Sequence, residues 1–207
     1  MLRCAMVILL ALVCRHGVAQ EEFPLKEAVF QGASAYRPGE NLEYFLYAQG
    51  FVQGVSPEEQ AAIIADWTGQ HPHARLVPVT ILGERSPFPI VYAWAMDGDD
   101  NLNLLLVRKG VYPALTMLDP PRFAQLVERA KPARYAKLLA AQERRGNPTG
   151  IPARRLVPAA RYDDFLKKLV AAEAAAQADM NGIWSDRFKP MRDKLGLTPL
   201  ATLPPME

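Results

Sequence analysis

Two histidines lie close together in the chain, and a pair of imidazoles is one pattern that can bind a metal ion. His71 and His73 flank a proline at strand-like spacing. A tight site needs more than two ligands, and the neighbouring sequence offers no third. The favoured interpretation is a solvated loop after Gly69, so the sequence predicts no metal site here. The sequence also lacks a serine–histidine–aspartate arrangement, a glycine-rich phosphate loop and a dinucleotide-binding fingerprint.

Basic residues are concentrated in the second half of the chain, where they could neutralise phosphates. Residues 128–168 carry eleven basic residues against four acidic ones, whereas residues 21–66 carry eight acidic residues and two basic ones. The candidate nucleic-acid-binding residues are Arg144, Arg145, Arg154 and Arg155. The alternative is a solvated helical face whose cations keep an alanine-rich helix soluble.

The first 19 residues have the pattern of an export signal. Arg3 precedes an unbroken apolar run, and small residues at positions 17–19 suit a signal peptidase. The run is too short to cross a bilayer, which takes about 20 apolar residues. Its removal would take away both cysteines, Cys4 and Cys14. We therefore expect an exported protein, secreted or periplasmic, with no disulfide and no transmembrane span.

Strands and helices alternate along the rest of the chain. Apolar and aromatic runs predict strands over 42–47, 76–82 and 90–96. A capping box at Ser56 and an N-cap at Asn101 predict helices over about 57–68 and 102–109. We expect residues 20–40 to be a tether and residues 187–207, which contain four prolines, to be a loosely held tail.

Several motifs occur in an order that matters more than any one of them. They are the apolar strand 92–94, the Asp97-Gly98 turn, the short helix 102–110, the long helix 162–180 and the sequence Gly-Ile-Trp-Ser at 182–185. In this order they resemble the second half of the staphylococcal nuclease-like (thermonuclease) domain. The resemblance covers residues 90–112 and 159–185, and extends weakly over 42–90.

The resemblance implies an α+β fold, namely an OB-like five-stranded β-barrel with packed helices. It places the domain at residues 41–186, with a helical insertion at about 113–158 that the family pattern lacks. Two helices are expected in the insertion, one from Asp119 and one over 133–145. Tyr92 and Trp94 could stack bases on such a barrel. They share one face of a strand, which more often belongs to the core.

The resemblance also implies a catalytic apparatus, most of which this sequence does not contain. The family is known for a calcium ion held by aspartates and for a glutamate and two arginines. One arginine would fall at Pro89, and Arg85 could replace it only if the intervening loop doubles back. The other arginine and its Asp-x-Pro-Glu loop are missing. Glu43, Glu58 and Glu59 are the nearest acids, and a strand edge and a helix cap are the simpler interpretations of them.

The same resemblance also allows a second register, in which the domain begins at residues 92–121. Residues 97–100 and 118–121 imitate the two acidic loops of the family. If the domain began there, Asp97, Asp99 and Asp119 would be candidate metal ligands. That register leaves no room for the later strands, so the first register is preferred.

The predicted function is therefore that of an exported, catalytically degenerate nuclease-like module without a cofactor. Its partner would be nucleic acid, through the basic insertion, or a protein of the cell envelope. The alternative is an active phosphodiesterase with a rearranged site, built from Arg85 with Glu43, Glu58 or Glu59, which would need Ca²⁺. A third possibility is a structural envelope protein in which the barrel is only a scaffold.

Overall fold

The computed structural model describes residues 21–40, 42–47, 52–84, 89–129 and 153–202. These residues form a mixed α+β structure. Its strands are β1 (Phe23–Pro24), β2 (Val29–Gln31), β3 (Ser34–Tyr36), β4 (Glu43–Phe45), β5 (Arg75–Leu82), β6 (Ile90–Asp97), β7 (Asp100–Asn101) and β8 (Ala153–Arg155). Its α-helices are α1 (Pro57–Gln70), α2 (Leu102–Arg108), α3 (Pro120–Arg129), α4 (Ala159–Ala178) and α5 (Lys189–Leu195).

The sheet is curled because the chain itself joins its two ends. The strand order is β1-β5-β6-β4-β3-β2, with β7 added to β6 and β8 to β5. β1 and β2 lie at opposite ends of that order, yet little more than the 3₁₀ turn Leu25–Glu27 separates them along the chain. So short a connection cannot cross a flat six-stranded sheet whose strands are about 4.8 Å apart. The sheet therefore has to curl.

The pairing directions define the topology. β2, β3 and β4 form an antiparallel meander, and β5 and β6 form an antiparallel pair. β4 runs parallel to β6. Parallel neighbours need a crossover connection, which here contains α1 and β5.

One face of the sheet forms the core. Ala35, Tyr44, Val91 and Ile81 lie in one register row across β3, β4, β6 and β5, and all four are buried. Three helices add apolar side chains to the same cluster: Ile64 and Trp67 from α1, Leu102 and Leu106 from α2, and Phe165 and Leu169 from α4. Burial of this apolar surface is the main stabilising contribution.

The predicted helix starts are confirmed by their caps. The Ser56 hydroxyl accepts a hydrogen bond from the backbone N–H of Glu59 at 3.2 Å, and Pro57 occupies the first helical position. The Asn101 side chain accepts from the N–H of Leu104 at 3.1 Å. The strands expected over 42–47, 76–82 and 90–96 are present as β4, β5 and β6.

The predicted tether over residues 20–40 is wrong, because this segment carries β1, β2 and β3. Phe23 and Ala35 are buried in the core. The strands are only two or three residues long, so they show no extended alternation, and Gly32 and Gly39 lie at turns with φ of 63° and 90°. The resemblance implies a five-stranded barrel, whereas the described residues contain eight strands, three of which, β1, β2 and β3, lie before the domain expected at residues 41–186.

The predicted loose tail is also wrong for residues 187–202. α5 ends at Gly196, whose φ of 63° is typical of a helix C-terminus, and Leu197 and Leu200 are buried. Buried apolar residues follow the prolines here, so the prolines mark turns in a packed segment. None of the helices in the described part of the chain is long and apolar enough to span a membrane.

The insertion is helical only in part. The helix expected from Asp119 is present as α3, and the expected helix over 133–145 lies outside the described residues. The short strand β8 pairs with β5 through Leu82 and Ala153 and was not expected. Its three residues, Ala-Arg-Arg, have no strand-like composition, so tertiary pairing decides their conformation.

Candidate ligand-binding face

The motifs that carry the family resemblance meet at one junction of three glycines. The N–H of Gly54 donates to Val111 O, and the N–H of Ile183 donates to Gly110 O, both at 2.8 Å. Gly110 and Gly182 have φ of 68° and 47°. A Cβ on either glycine would overlap the backbone of the other segment. The Arg-x-Gly and Gly-Ile-Trp motifs are therefore two halves of one backbone contact.

Asn103 has a structural position in the same motif. Its amide donates to Leu46 O at 2.6 Å and to Ala93 O at 3.0 Å, and its Oδ1 accepts from the N–H of Ala95 at 3.0 Å. The side chain is buried. It therefore ties the backbone after β4 to β6, where the two strands run parallel.

Arg155, a predicted nucleic-acid-binding residue, lies in an internal ion pair. Its guanidinium donates to both carboxylate oxygens of Asp119 at 2.8 and 3.1 Å and stacks on the Tyr162 ring at 4.2 Å. Hydrogen bonding to Asp119 raises the pKa of Arg155. Burial is the main cause that raises the pKa of the Tyr162 phenol. The charge of Arg155, which is partly exposed, is consequently paired with the buried carboxylate of Asp119.

Of the other three arginines predicted to contact nucleic acid, the described residues include only Arg154. Arg154 donates to both oxygens of Glu84 at 3.0 and 2.7 Å, in an exposed pair. Arg144 and Arg145 lie outside the described residues, as does Arg85. Binding of nucleic acid by these residues stays a prediction, and Arg154 and Arg155 would have to leave a carboxylate to contact a phosphate.

The three aspartates that would be metal ligands under the alternative register differ in burial. Asp119 is 1 % exposed, and its oxygens accept from Arg155, from Thr80 and from the N–H of Arg122. Asp97 and Asp99 lie at the turn after β6. Within the described residues, no three histidine, cysteine or acidic side chains are grouped so that they could hold a metal ion.

The histidine pair is divided between two environments. His71 stacks on Trp67 with ring centroids 4.2 Å apart, and its Nδ1 lies 2.7 Å from Trp67 O. Its Nε2 lies 3.4 Å from an Asp100 carboxylate oxygen. His73 is exposed. The solvated loop expected for both therefore describes only His73.

The glutamates considered for catalysis occupy two elements. Glu58 and Glu59 lie in the first turn of α1, and hydrogen bonds from its own backbone N–H and from Ser56 lower the pKa of Glu58. That is the helix-cap arrangement. Glu43 is exposed on β4, at the register position opposite Ile90 of β6. Pro89, where the resemblance would place an arginine, immediately precedes Ile90.

The aromatic residues of β6 belong to the interior. Trp94 is buried and stacks on Phe165 of α4 with centroids 4.5 Å apart. Tyr92 is buried beside Leu82. The interpretation as a core residue is confirmed for Trp94, whereas Tyr92 is buried in a small cluster outside the main core.

The sheet face opposite the core row carries a second set of side chains, which we call the outer face. Register partners on this face are Val29, Tyr36, Glu43, Ile90, Leu82 and Ala153 in one row, and Ser34, Phe45, Tyr92 and Thr80 in the next. Val29 is 41 % and Tyr36 38 % exposed, and Glu43 is exposed between Tyr36 and Ile90. Val29 and Tyr36 were not predicted as candidate binding residues, because they lie in the segment expected to be a tether.

Comparison with known proteins gives no family assignment. No protein-family model, no curated protein and no solved structure matches the chain. Function is therefore inferred from the residues and from the geometry of the outer face.

Proposed function

We propose that this protein is an exported binding module with a nuclease-like, OB-like barrel that has lost the phosphate-hydrolysing residues. The main support for this proposal is the set of residues on the outer face. There Glu43 of β4 lies opposite Ile90, directly after Pro89. The resemblance implies an arginine at position 89, where this chain has a proline, and the neighbouring exposed position on β4 carries the Glu43 carboxylate.

The topology supports an OB-like barrel. A three-stranded meander, a helix and an antiparallel pair follow one another, with the third strand of the meander parallel to the last strand of the pair. This order is compatible with the OB-like barrel that the resemblance implies, and Gly110 and Gly182 bring two of its motifs into contact. The leader sequence supports export.

The charge distribution supports the loss of catalysis. Phosphodiester hydrolysis needs a cation or guanidinium to offset the charge that develops on the phosphate, and a base that orients water. Arg37, Arg154 and Arg155 each donate to a carboxylate instead. Within the described residues, Asp97, Asp99 and Asp119 do not belong to a group of three metal-ligating side chains.

The direct test is a cleavage assay with the mature protein, single-stranded DNA and RNA, with and without Ca²⁺. We expect no cleavage in either condition. Calcium-dependent cleavage that Arg85→Ala abolishes, while circular dichroism shows the domain still folded, would establish the rearranged nuclease instead.

A further inference from the structure

The outer face has an exposed part that no other described element covers. Val29 of β2 and Tyr36 of β3 are register partners, and both side chains are substantially exposed. Next to Tyr36 in the same row lies Glu43, and Phe45, half-buried, follows on the same side of β4. Directly opposed side chains on antiparallel strands have Cβ atoms about 5 Å apart, so Tyr36 and Glu43 can contact one group together.

The charge around this face is negative. Glu43 has no ion pair among the described residues. The nearby guanidinium of Arg37 is held by Glu27 at 2.6 Å and by Glu40 at 2.9 Å, so it is not free to offset Glu43. Such a face repels phosphates and attracts cationic groups.

An arginine, a tyrosine and a carboxylate already meet at another, part-buried place in this protein. Arg155 stacks on the Tyr162 ring and pairs with the Asp119 carboxylate. A tyrosine face beside a carboxylate suits an arginine, whose planar guanidinium can stack and donate two parallel hydrogen bonds. Tyr36 and Glu43 offer the tyrosine and the carboxylate on the surface, without the arginine.

We propose that the outer face binds an extended, arginine-containing segment of a partner protein, with an arginine held between Tyr36 and Glu43. Val29 and Phe45 contact the apolar side chains that flank that arginine. This inference rests on the proposed function, because it names the ligand class of that binding module.

The test measures binding of a short labelled peptide that alternates arginine and valine to the mature chain, by fluorescence anisotropy. Wild type is expected to bind it and not the matched glutamate–valine peptide. Glu43→Lys is expected to weaken binding by at least about tenfold, because an attraction becomes a repulsion. Tyr36→Ser is expected to weaken it as well, and both positions are exposed, so the variants should fold.

The matched control is Asp186→Lys, which changes the net charge equally. Asp186 is exposed on the 3₁₀ turn Asp186–Phe188, which packs against α5. Unchanged affinity in this variant supports the site. Equal weakening by Asp186→Lys and Glu43→Lys, or no peptide binding by wild type at millimolar concentration, overturns it.

Labelled oligothymidylate separates the two ligand classes. If it binds wild type and Glu43→Lys strengthens that binding, the face takes nucleic acid and the peptide inference is wrong. Failure of peptide binding in a protein that cleaves no DNA overturns this inference alone. Calcium-dependent DNA cleavage overturns the proposed function.

Discussion

Three buried polar side chains, those of Asn103, Asp119 and Glu173, have partners that explain their residue type. Asn103 both donates and accepts, which an amide can do and a carboxylate cannot. Asp119 accepts from an arginine, a hydroxyl and a backbone N–H. Glu173 accepts from the N–H of Ala114 at 2.8 Å and of Leu200 at 2.6 Å. At the scale of single residues, these polar side chains therefore connect segments that are distant in the sequence.

Replacement of Asn103 tests that structural role. Asn103→Ala would leave two buried carbonyls and one N–H without a partner, so we expect the free energy of unfolding to fall by about 3 kcal/mol or more. Urea denaturation measures the loss. Lys109→Ala, an exposed change at the end of α2, should stay within about 0.5 kcal/mol of wild type. Similar stabilities for the two variants would contradict the assigned role.

Arg154 and Arg155 are adjacent and should differ in their effect on stability. Arg155→Ala leaves the buried Asp119 carboxylate without its cation, a loss of about 3–5 kcal/mol for a broken buried pair. Arg154→Ala breaks an exposed pair with Glu84 and should cost at most about 1 kcal/mol. Thermal or urea unfolding of both variants provides the comparison. Equal losses would mean that the Asp119 pair is not a buried interaction.

Glu173 predicts a specific pH dependence. Burial raises the pKa of its carboxyl above the value in the unfolded chain, with the two backbone hydrogen bonds acting in the opposite direction. A raised pKa favours the protonated form on folding. The stabilisation is therefore complete below the unfolded pKa, about 4.3, and is lost as pH rises through the folded pKa.

Glu173→Gln should remove that dependence. We expect the stability of wild type, measured by urea unfolding relative to the variant, to decrease as pH rises from about 4 towards neutrality. A difference that stays constant across this range, or that increases with pH, would contradict the raised pKa.

At the scale of elements, the three-glycine junction holds α2, α4 and the loop before α1 together. A Cβ on Gly182 would overlap the Gly110 carbonyl, and its φ of 47° disfavours other residues. Gly182→Ala is therefore expected to destabilise the protein by more than about 1 kcal/mol. Differential scanning calorimetry should show a clearly lower Tm.

Gly69 supplies the matched control for that substitution. It lies in α1 with open space around it, so alanine there should stabilise by about 0.5–1 kcal/mol through helix propensity. The same substitution should thus have opposite signs at positions 69 and 182. A loss of Tm in both variants, or in neither, would contradict the close approach at the junction.

Elements with local signals were predictable from the sequence, and elements held by distant contacts were not. α1 has its own cap and proline, and β5 and β6 are eight-residue apolar strands. In contrast, β1 has two residues and pairs with β5 some fifty positions later. β8 has three residues and depends on the same strand. Such pairings leave no periodic pattern in a short strand. The outer-face residues Val29 and Tyr36 therefore could not be predicted, because they fall in the segment expected to be a tether.

At the scale of the whole molecule, the curled sheet has an inner side and an outer side with different roles. The inner side forms the core, and the outer side carries Glu43 beside Pro89, the position at which the resemblance implies an arginine. Under the proposed function, the protein is expected to bind its ligand without cleaving nucleic acid. That expectation concerns the intact chain, since β1 and β8, which are far apart in the sequence, both pair with β5.

The most direct measurement is a time course of single-stranded DNA hydrolysis by the mature wild-type protein in millimolar Ca²⁺, beside an active nuclease as positive control. The account predicts full-length substrate at every time point, with or without the ion. Progressive cleavage that requires Ca²⁺ and stops on its chelation would contradict it.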